Sequence, residues 1–291
     1  MAELVQASPA AAMSQEKTVE DIQEKTIPPP TDRIYLSLEG NFLLTSTSVV
    51  LDLTTKANEK DAAVTDVTIV LDKSPFHPQG GGQPTDIGTI TFGDIAVSIT
   101  KVGYDFATRV VTHVGSVATE HAGKLNIGDK VDCQVDEENR YLCSSVHSAG
   151  HVIDSAMARV GMTFPPTKGY HFMDGPYVEY KGKIPDAKEK ENLVAKLQVE
   201  FAQIVEEDIQ SNICMMTRPE AEEACNRIQK NFDFDNFTDP AGIRIVTIAN
   251  FQCPCGGTHV RSTRELKDWT VLKIKGKKDK LQVRYGPKPK V

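Results

Sequence analysis

Residues 131–161 decide the fold, because the sequence pattern changes within them; they read VDCQVDEENRYLCSSVHSAGHVIDSAMARVG. Up to Val135, short β-branched runs alternate with turn residues, which is a strand pattern. Beyond Asp136, a favourable N-cap residue, apolar residues recur at helical spacing as far as Gly161. We therefore predict a helix that begins after Asp136. Its apolar stripe comprises Leu142, Val146, Ala149, Ile153 and Ala156.

The strand pattern before this helix starts at Arg33 and predicts a small antiparallel β-barrel or sandwich. Its β-branched runs are separated by breaks such as Gly93-Asp94 and Gly128-Asp129, which suit hairpin turns. Beyond the helix the pattern mixes helices and strands, so we predict an α+β fold for the second half. Helices are expected at 186–209 and 220–228, and strands at 243–248 and 270–285.

We expect three parts along the chain. Residues 1–31 are rich in alanine, glutamine, glutamate, lysine and serine and end near three prolines. Such a composition cannot bury enough apolar surface to fold, which predicts a disordered N-terminal extension. Residues 32–135 are the expected β-barrel domain, and residues 136–291 are the expected α+β domain.

Bulk composition indicates a soluble, cytoplasmic protein. The chain is 40% hydrophobic and 25% charged, and it lacks the apolar run of about 18 residues that a transmembrane helix requires. Its N-terminus has neither the pattern of a secretory signal nor that of a transit peptide. Six scattered cysteines are too few for a disulfide framework, so cysteines close to histidines suggest metal ligands.

The formal net charge of −7 excludes a general nucleic-acid coat and leaves one local basic patch as the candidate RNA contact. This patch lies near the C-terminus and contains a single acidic residue, Asp279. It suits phosphate contacts, although a solvated hairpin followed by a tail also explains it. Its members are Lys273, Lys275, Lys277, Lys278, Lys280, Arg284, Lys288 and Lys290.

Two separated motifs carry candidate metal ligands. His147 and His151 lie four residues apart on the predicted helix, so both imidazoles lie on one side of it. The segment Cys255-Gly256-Gly257-Thr258-His259 offers a thiolate and an imidazole across a tight turn. Three imidazoles and one thiolate suit tetrahedral zinc. Two alternatives remain: Cys253 replaces Cys255 or saturates the site, or a closed zinc site only joins the helix to the loop.

Asp154 and two further segments lie close to these motifs in the sequence or in the predicted fold. Asp154, one turn beyond His151, either orients a ligand or is an exposed solubilising residue. In the barrel half, residues 76–84 contain Gly80-Gly81-Gly82-Gln83, whose backbone can approach a ligand closely unless the loop is a flexible hairpin tip.

Just past the predicted metal helix, Lys168, Tyr170 and His171 are candidate catalytic residues. Of these, Lys168 or His171 is expected to stabilise an oxyanion or relay a proton. The structural alternative for this segment is a turn into a strand, with Tyr170 and Phe172 packed in the core.

The order of a barrel, a Gly-Gly-Gly-Gln-Pro loop, the pair His147 and His151, and Cys-Gly-Gly-Thr-His resembles the alanyl-tRNA editing proteins of the AlaX type. These are freestanding relatives of the editing domain of alanyl-tRNA synthetase and, more distantly, of threonyl-tRNA synthetase. The match covers about residues 33–285 and indicates the medium-length class. It implies a β-barrel followed by an α+β editing domain of the threonyl/alanyl-tRNA synthetase second-additional-domain type.

The resemblance implies hydrolysis of the ester between tRNA(Ala) and serine, with glycine as a second substrate. Such an enzyme is needed because a synthetase pocket built for alanine cannot strongly reject either amino acid. It also implies one zinc ion per chain and a transient contact with alanyl-tRNA synthetase. The implied ligands are His147, His151, Cys255 and His259, and the implied substrate-binding residues are Gly80, Gly81, Gly82, Gln83, Gly150 and Thr258.

Two positions depart from the synthetase editing domains. Gly150 stands where threonine is frequent, and Thr167-Lys168-Gly169-Tyr170 stands where Gln-x-Gly-Ser is frequent. Two other functions also fit these residues. One is a non-catalytic zinc module that binds RNA or associates with a synthetase, and the other is an editing hydrolase for mischarged tRNA(Thr).

Overall fold

The computed structural model describes residues 26–227, 234–235 and 242–289, so most of the predicted N-terminal extension and the end of the predicted helix at 220–228 lie outside the described residues. Within these ranges there are three α-helices: α1 (Glu137–Arg159), α2 (Ala187–Glu206) and α3 (Arg218–Asn226). The strands are β1 (Asp32–Arg33), β2 (Thr45–Ala57), β3 (Val64–Leu71), β4 (Lys73–Ser74), β5 (Gly88–Phe92), β6 (Ile95–Tyr104), β7 (Val111–Ala118), β8 (Lys130–Val135), β9 (Pro166–Tyr170), β10 (Tyr177–Lys181), β11 (Asn212–Met216), β12 (Ile243–Ile248), β13 (Phe251–Pro254), β14 (Trp269–Lys277) and β15 (Lys280–Pro287).

Six strands of the first half form a closed barrel in the order β2-β3-β7-β6-β5-β8. All of its strand pairs are antiparallel. Along β6 and β8 buried and exposed side chains largely alternate, because successive residues of a strand point to opposite faces. The inward side chains, among them Val50, Ile69, Ile99 and Val135, form one hydrophobic core. The barrel prediction is therefore confirmed, and the sandwich alternative is excluded.

Helix α1 begins and ends where the sequence pattern changes. The side chain of Asp136 caps it by accepting a hydrogen bond from the backbone N–H of Asn139 at 2.8 Å. Glu137 and Glu138 in the first turn complement the positive end of the helix dipole, and Gly161 follows the helix with a φ of 79°. Four of the five predicted stripe residues lie in the core, whereas Leu142 is 39% exposed.

The second half contains two sheets and confirms the α+β prediction. One has the order β14-β15-β10-β9, and the other the order β11-β12-β13. Helices α1 and α2 share a single hydrophobic core with the first sheet, and the burial of residues such as Leu197, Phe201, Val178 and Leu281 stabilises this half. No helix of the described residues is long and apolar enough to cross a membrane.

A buried ion pair joins the barrel side of the molecule to α1. The guanidinium of Arg140 donates to the carboxylate of Asp86, with Nε 3.0 Å from Oδ2, and both side chains are almost completely buried. Arg140 also donates to the carbonyl oxygens of Pro75 at 2.6 Å and Asn41 at 3.4 Å. These bonds hold the glycine-rich segment and the Asn41 turn against the first turns of the helix that carries His147.

Candidate metal centre

Four side chains from two separated elements meet at one point. His147 and His151 extend from α1, and Cys255 and His259 come from the loop that follows β13. One donor atom of each lies within 4.8 Å of the others. The Sγ atom of Cys255 is 3.4 Å from Nε2 of His147 and 3.4 Å from Nε2 of His259. The predicted residues are therefore adjacent, and the cluster could hold a metal ion.

The donor arrangement fits tetrahedral zinc. Zinc bonds to nitrogen and sulfur place neighbouring tetrahedral donors about 3.3–3.6 Å apart, close to the sulfur–nitrogen distances found here. The Nε2 atom of His151 is buried without a hydrogen-bond partner among the described residues, as expected of a nitrogen atom that binds a metal ion. Burial also lowers the pKa of His151 to about 4 and those of His147 and His259 well below 6.5, so all three imidazoles are neutral ligands at pH 7.

The outer nitrogen of each imidazole has a protein partner. Nδ1–H of His147 donates to Oε1 of Gln83 at 2.8 Å, which leaves the lone pair of Nε2 facing the cluster. Nδ1 of His259 lies 3.1 Å from Oγ of Ser148. Such contacts fix the tautomer and ring orientation of a ligand before the metal arrives.

The two nearby cysteines occupy different places. Cys255 belongs to the four-residue cluster, whereas Sγ of Cys253 lies 3.3 Å from Nδ1 of His151, on the outer side of that ring. The geometry therefore favours Cys255 over Cys253 as the sulfur ligand.

The backbone of His259 is held by Asn41, which donates to its carbonyl oxygen at 2.8 Å and accepts from its N–H at 2.9 Å.

The cysteine assignment predicts a clear difference between two variants. Cys255→Ala should lose stoichiometric zinc after dialysis, because it removes one of four donors. Cys253→Ala should keep one zinc per chain, with an affinity lowered by no more than about tenfold, because it removes only an outer partner of His151. Metal content measured by mass spectrometry on the dialysed proteins checks both; equal retention in the two variants would contradict the assignment.

The glycine-rich segment is a tight turn packed against the site. Gly80 and Gln83 exchange two backbone hydrogen bonds, and Gly81 and Gly82 between them have φ values of 57° and 80°. A Cβ on Gly82 would lie 2.4 Å from the carbonyl oxygen of Gly169, so only glycine allows this approach to β9. Because Gln83 is fully buried, the segment is not a free hairpin tip.

The side-chain amide of Gln83 joins the two ligand segments. Its Oε1 accepts from Nδ1 of His147 and, at 2.9 Å, from the backbone N–H of Thr258, while its Nε2 donates to Oγ1 of Thr258 at 2.9 Å. A Cβ on Gly257 would lie 2.2 Å from the His147 ring and 2.7 Å from Oε1 of Gln83, which explains the glycine in that loop. Gln83 thus contacts the ligand His147 directly and links it to Thr258, and the predicted role of both residues in substrate binding stays a prediction.

Removal of this amide should weaken metal binding. We expect Gln83→Ala to lower zinc affinity by about tenfold to a hundredfold, since the outer partners of metal-bound histidines have effects of that size. Competition with a chelating dye measures the change. Gln79→Ala, an exposed glutamine of the same segment, is the matched control and should bind zinc like the parent chain. An unchanged affinity in Gln83→Ala would show that the amide does not orient His147.

His171 packs directly on the cluster. Its ring lies 4.3 Å from that of His147, centroid to centroid, in a stacked arrangement. Its Nδ1 lies 2.6 Å from the hydroxyl of Tyr285, and that hydroxyl donates to the carbonyl oxygen of Val146 at 3.0 Å. Because the tyrosine hydrogen is used on Val146, Nδ1 of His171 carries the proton and Nε2 carries the lone pair. Burial lowers the pKa of His171 to about 3 and keeps the ring neutral.

Two family models and several known proteins are similar to this chain. Residues 3–139 match the model of class II (A) tRNA synthetases, and residues 243–284 match that of the threonyl and alanyl tRNA synthetase second additional domain. The alanyl-tRNA editing protein AlaX-L of Pyrococcus horikoshii is 29% identical over 229 residues, which cover 74% of this chain and 52% of that protein. This chain is a relative of the alanyl-tRNA editing proteins.

Alanine–tRNA ligases are also similar to this chain. That of Methanosarcina acetivorans is 32% identical over 227 residues, 74% of this chain, and that of Methanoregula boonei is 27% identical over 264 residues, 87% of this chain. The chain spans 23% and 25% of those two ligases and about half of AlaX-L. The family resemblance inferred from the motifs is therefore confirmed, whereas the medium-length class and the division at residue 136 stay predictions.

In this relative of the editing proteins, Gly150 makes room for His171. A Cβ on Gly150 would lie 2.6 Å from Cε1 of His171 and 3.0 Å from the hydroxyl of Tyr285. The imidazole of His171 thus occupies the space that a side chain at residue 150, such as the threonine of synthetase editing domains, would take. His171 directly follows the second departure, Thr167-Lys168-Gly169-Tyr170.

The other two predicted catalytic residues lie apart from the cluster. Lys168 is exposed, with Nζ 5.9 Å from the centroid of the Tyr170 ring, and the hydroxyl of Tyr170 donates to Asp174 at 3.0 Å. Both residues lie on the outer face of β9, so of the three only His171 is brought to the ligands.

Asp154 is not an exposed solubilising residue. It accepts from the hydroxyl of Tyr180 at 2.6 Å, and desolvation raises its pKa to about 7.

Several residues that shape the centre are not among those predicted from the sequence. Asn41, Ser148 and Tyr285 each contact a ligand residue or His171 from a position more than a hundred residues away in the chain. Only Ser148, which directly follows His147 on α1, could have been suggested by its position. The contacts of the other two depend on the tertiary fold.

Proposed function

We propose that the chain is a zinc-dependent aminoacyl-tRNA hydrolase that removes serine from mischarged tRNA(Ala) in the cytoplasm, with glycine as a second substrate. The observation that carries this proposal is the cluster of His147, His151, Cys255 and His259 in a chain related to alanyl-tRNA editing proteins. A hydrogen bond between His147 and Gln83 joins this cluster to the glycine-rich turn. When bound, zinc supplies Lewis acidity to the ester and to the attacking water. Transient association with alanyl-tRNA synthetase is part of the proposal.

His171 is proposed to position the substrate. Its pKa of about 3 makes it a poor general base at pH 7, because proton transfer is most effective when the pKa lies near the working pH. Its Nε2 lone pair, however, can accept a hydrogen bond from the serine hydroxyl or from an amino hydrogen. This role explains why Tyr285 fixes the tautomer. Lys168 and Tyr170 are assigned no contact with the ester, since both lie on the outer face of β9.

The positioning role of His171 can be tested through its partner. We expect Tyr285→Phe to lower kcat/KM for serine release about tenfold, the effect of losing one buried hydrogen bond, because Nδ1 of His171 loses its acceptor. Nitrogen NMR should show the His171 ring no longer held in the Nδ1–H form. Tyr180→Phe, which removes another buried tyrosine hydroxyl, is the matched control and should leave the His171 signals unchanged. The same tautomer in both variants would refute the Tyr285 assignment.

Four charged tRNAs distinguish the proposed activity from its rivals. The protein is incubated with Ser-tRNA(Ala), Gly-tRNA(Ala), Ala-tRNA(Ala) and Ser-tRNA(Thr), with and without a chelator. We expect rapid release from Ser-tRNA(Ala), slower release from Gly-tRNA(Ala), little release from Ala-tRNA(Ala), and loss of all activity with the chelator. Preference for Ser-tRNA(Thr) would reassign the substrate. Absence of release from every tRNA, with RNA binding retained, would indicate a non-catalytic module.

A further inference from the structure

The outer face of the sheet β14-β15-β10-β9 carries one continuous row of side chains across all four strands. In the strand register Tyr170 is opposite Tyr177, Tyr177 is opposite Arg284, and Arg284 is opposite Lys273. The neighbouring residue Val178 points the other way and belongs to the hydrophobic core. Two aromatic rings, a guanidinium and an ammonium therefore follow one another in a line on the side of the sheet away from the helices.

The planar groups of this row are already stacked on one another. The rings of Tyr170 and Tyr177 are 5.3 Å apart with an interplanar angle of 21°, and those of Tyr170 and Phe172 are 4.8 Å apart at 24°. The guanidinium carbon of Arg284 lies 5.3 Å from the centroid of Tyr177. None of the three aromatic residues belongs to a hydrophobic cluster of the described residues, so the alternative that Tyr170 and Phe172 pack in the core is wrong.

Positive charge surrounds the row. The next row along the same strands holds Lys168, Glu179, Gln282 and Lys275 in register. The Glu179 carboxylate is neutralised by Lys280 at 2.6 Å and also accepts from Gln282 at 3.1 Å. A second acidic group, Asp174, accepts from the Tyr170 hydroxyl. The exposed lysines of the face thus outnumber its acids in a chain whose formal net charge is −7.

At one end of the row the chain passes from the outer face of the sheet to the candidate metal centre. Tyr170 is the last residue of β9, and the next residue, His171, stacks on His147 and donates its backbone N–H to Gly82 at 2.9 Å. Phe172, stacked on Tyr170, follows immediately. Because β9 is an edge strand of this sheet, a ligand lying along the row can reach the cluster by passing round that edge.

We propose that this face, the stacking platform formed by Phe172, Tyr170, Tyr177, Arg284 and Lys273, binds the unpaired 3′-terminal nucleotides of an RNA. Bases of single-stranded RNA stack on aromatic and guanidinium planes whatever their sequence, and lysines beside such planes neutralise the phosphates. The identity of the RNA as a charged tRNA rests on the proposed function, because the ester of such a substrate is at its single-stranded 3′ end. Tyr170 is then a nucleotide-binding residue rather than a catalytic one.

Binding of a short RNA tests the platform without any reaction. The probe is a single-stranded RNA ending in CCA, with 2-aminopurine in place of the terminal adenine, whose fluorescence falls when the base stacks. We expect Tyr177→Ala to raise Kd by about tenfold to a hundredfold and to abolish the quenching, and Tyr177→Phe to bind like the parent chain. Phe106→Ala, an exposed aromatic on the barrel, is the control and should have no effect. Parental binding by Tyr177→Ala would overturn the proposal.

Kinetics separate a failure of the platform from a failure of the proposed hydrolase. For serine release from Ser-tRNA(Ala), Tyr177→Ala should raise KM about tenfold or more and leave kcat nearly unchanged. Hydrolysis of an RNA-free serine ester should be the same in both proteins. If the parent chain hydrolyses neither substrate while the fluorescence difference persists, the hydrolase assignment fails and the platform stands. If hydrolysis occurs with the same KM in both proteins, the platform is refuted.

Discussion

His147→Ala should lose stoichiometric zinc and release serine from Ser-tRNA(Ala) more than about a hundredfold more slowly than the parent chain. The substitution removes one of the four metal donors. It also removes the Nδ1–H group from which Oε1 of Gln83 accepts, and the Nε2 atom that lies 3.4 Å from Sγ of Cys255. Loss of a metal ligand should lower zinc affinity and rate by more than the tenfold to hundredfold that follows from losing a hydrogen-bond partner of a ligand. Metal content and the single-turnover rate are measured on the same sample.

His121→Ala is the control for this substitution. His121 lies in a short 3-10 turn that follows β7 and is not part of the cluster, so its removal should change neither zinc content nor rate. A His147→Ala protein that keeps one zinc and the parental rate would contradict the ligand assignment. A protein that keeps zinc but loses the rate would indicate that His147 acts on the substrate instead.

Arg140→Met should lower the free energy of unfolding by about 3–5 kcal/mol, because it leaves the buried carboxylate of Asp86 without its cation. The carbonyl oxygens of Pro75 and Asn41 lose a donor at the same time. Methionine keeps much of the arginine stem's volume, so the loss reports charge and hydrogen bonds more than packing. Denaturation in urea, followed by far-ultraviolet circular dichroism, measures the change.

Arg159→Met provides the comparison on the same helix. Arg159 pairs with Glu207 at 2.6 Å, but both side chains are partly exposed, and such pairs contribute about 0–1 kcal/mol. We therefore expect this variant to remain within about 1 kcal/mol of the parent chain. If Arg140→Met were no less stable than Arg159→Met, the buried pair would not be what holds the glycine-rich segment against α1.

The elements that could be predicted are those with a strong local signal. The change of period at Asp136 located α1, and the N-cap and Gly161 located its ends, because capping depends on residues next to each other in the chain. The number and spacing of the short strands predicted a barrel or a sandwich, and the packed fold shows that the barrel is closed. By contrast, Leu142 fits the helical stripe but remains partly exposed, since nothing in the spacing shows where the neighbouring elements stop covering the helix.

The ligands could be predicted for the same reason, and their surroundings could not. His147 and His151 are neighbours on one helix, and Cys255 and His259 are neighbours across one turn. Tyr285 reaches His171 across 114 residues, and Asn41 reaches His259 across 218, so neither contact has a local pattern. Tyr170 and His171 show the remaining difficulty: adjacent strand residues face opposite sides, and only the packed fold shows which side meets the cluster.

The most direct test of the zinc-dependent editing assignment is a zinc titration of the metal-free protein, with serine release from Ser-tRNA(Ala) measured at each addition. The cluster of His147, His151, Cys255 and His259 predicts a rate that rises in proportion to zinc and stops rising at one ion per chain. A rate that is already maximal without zinc, or that remains at the background at every zinc concentration, would contradict it.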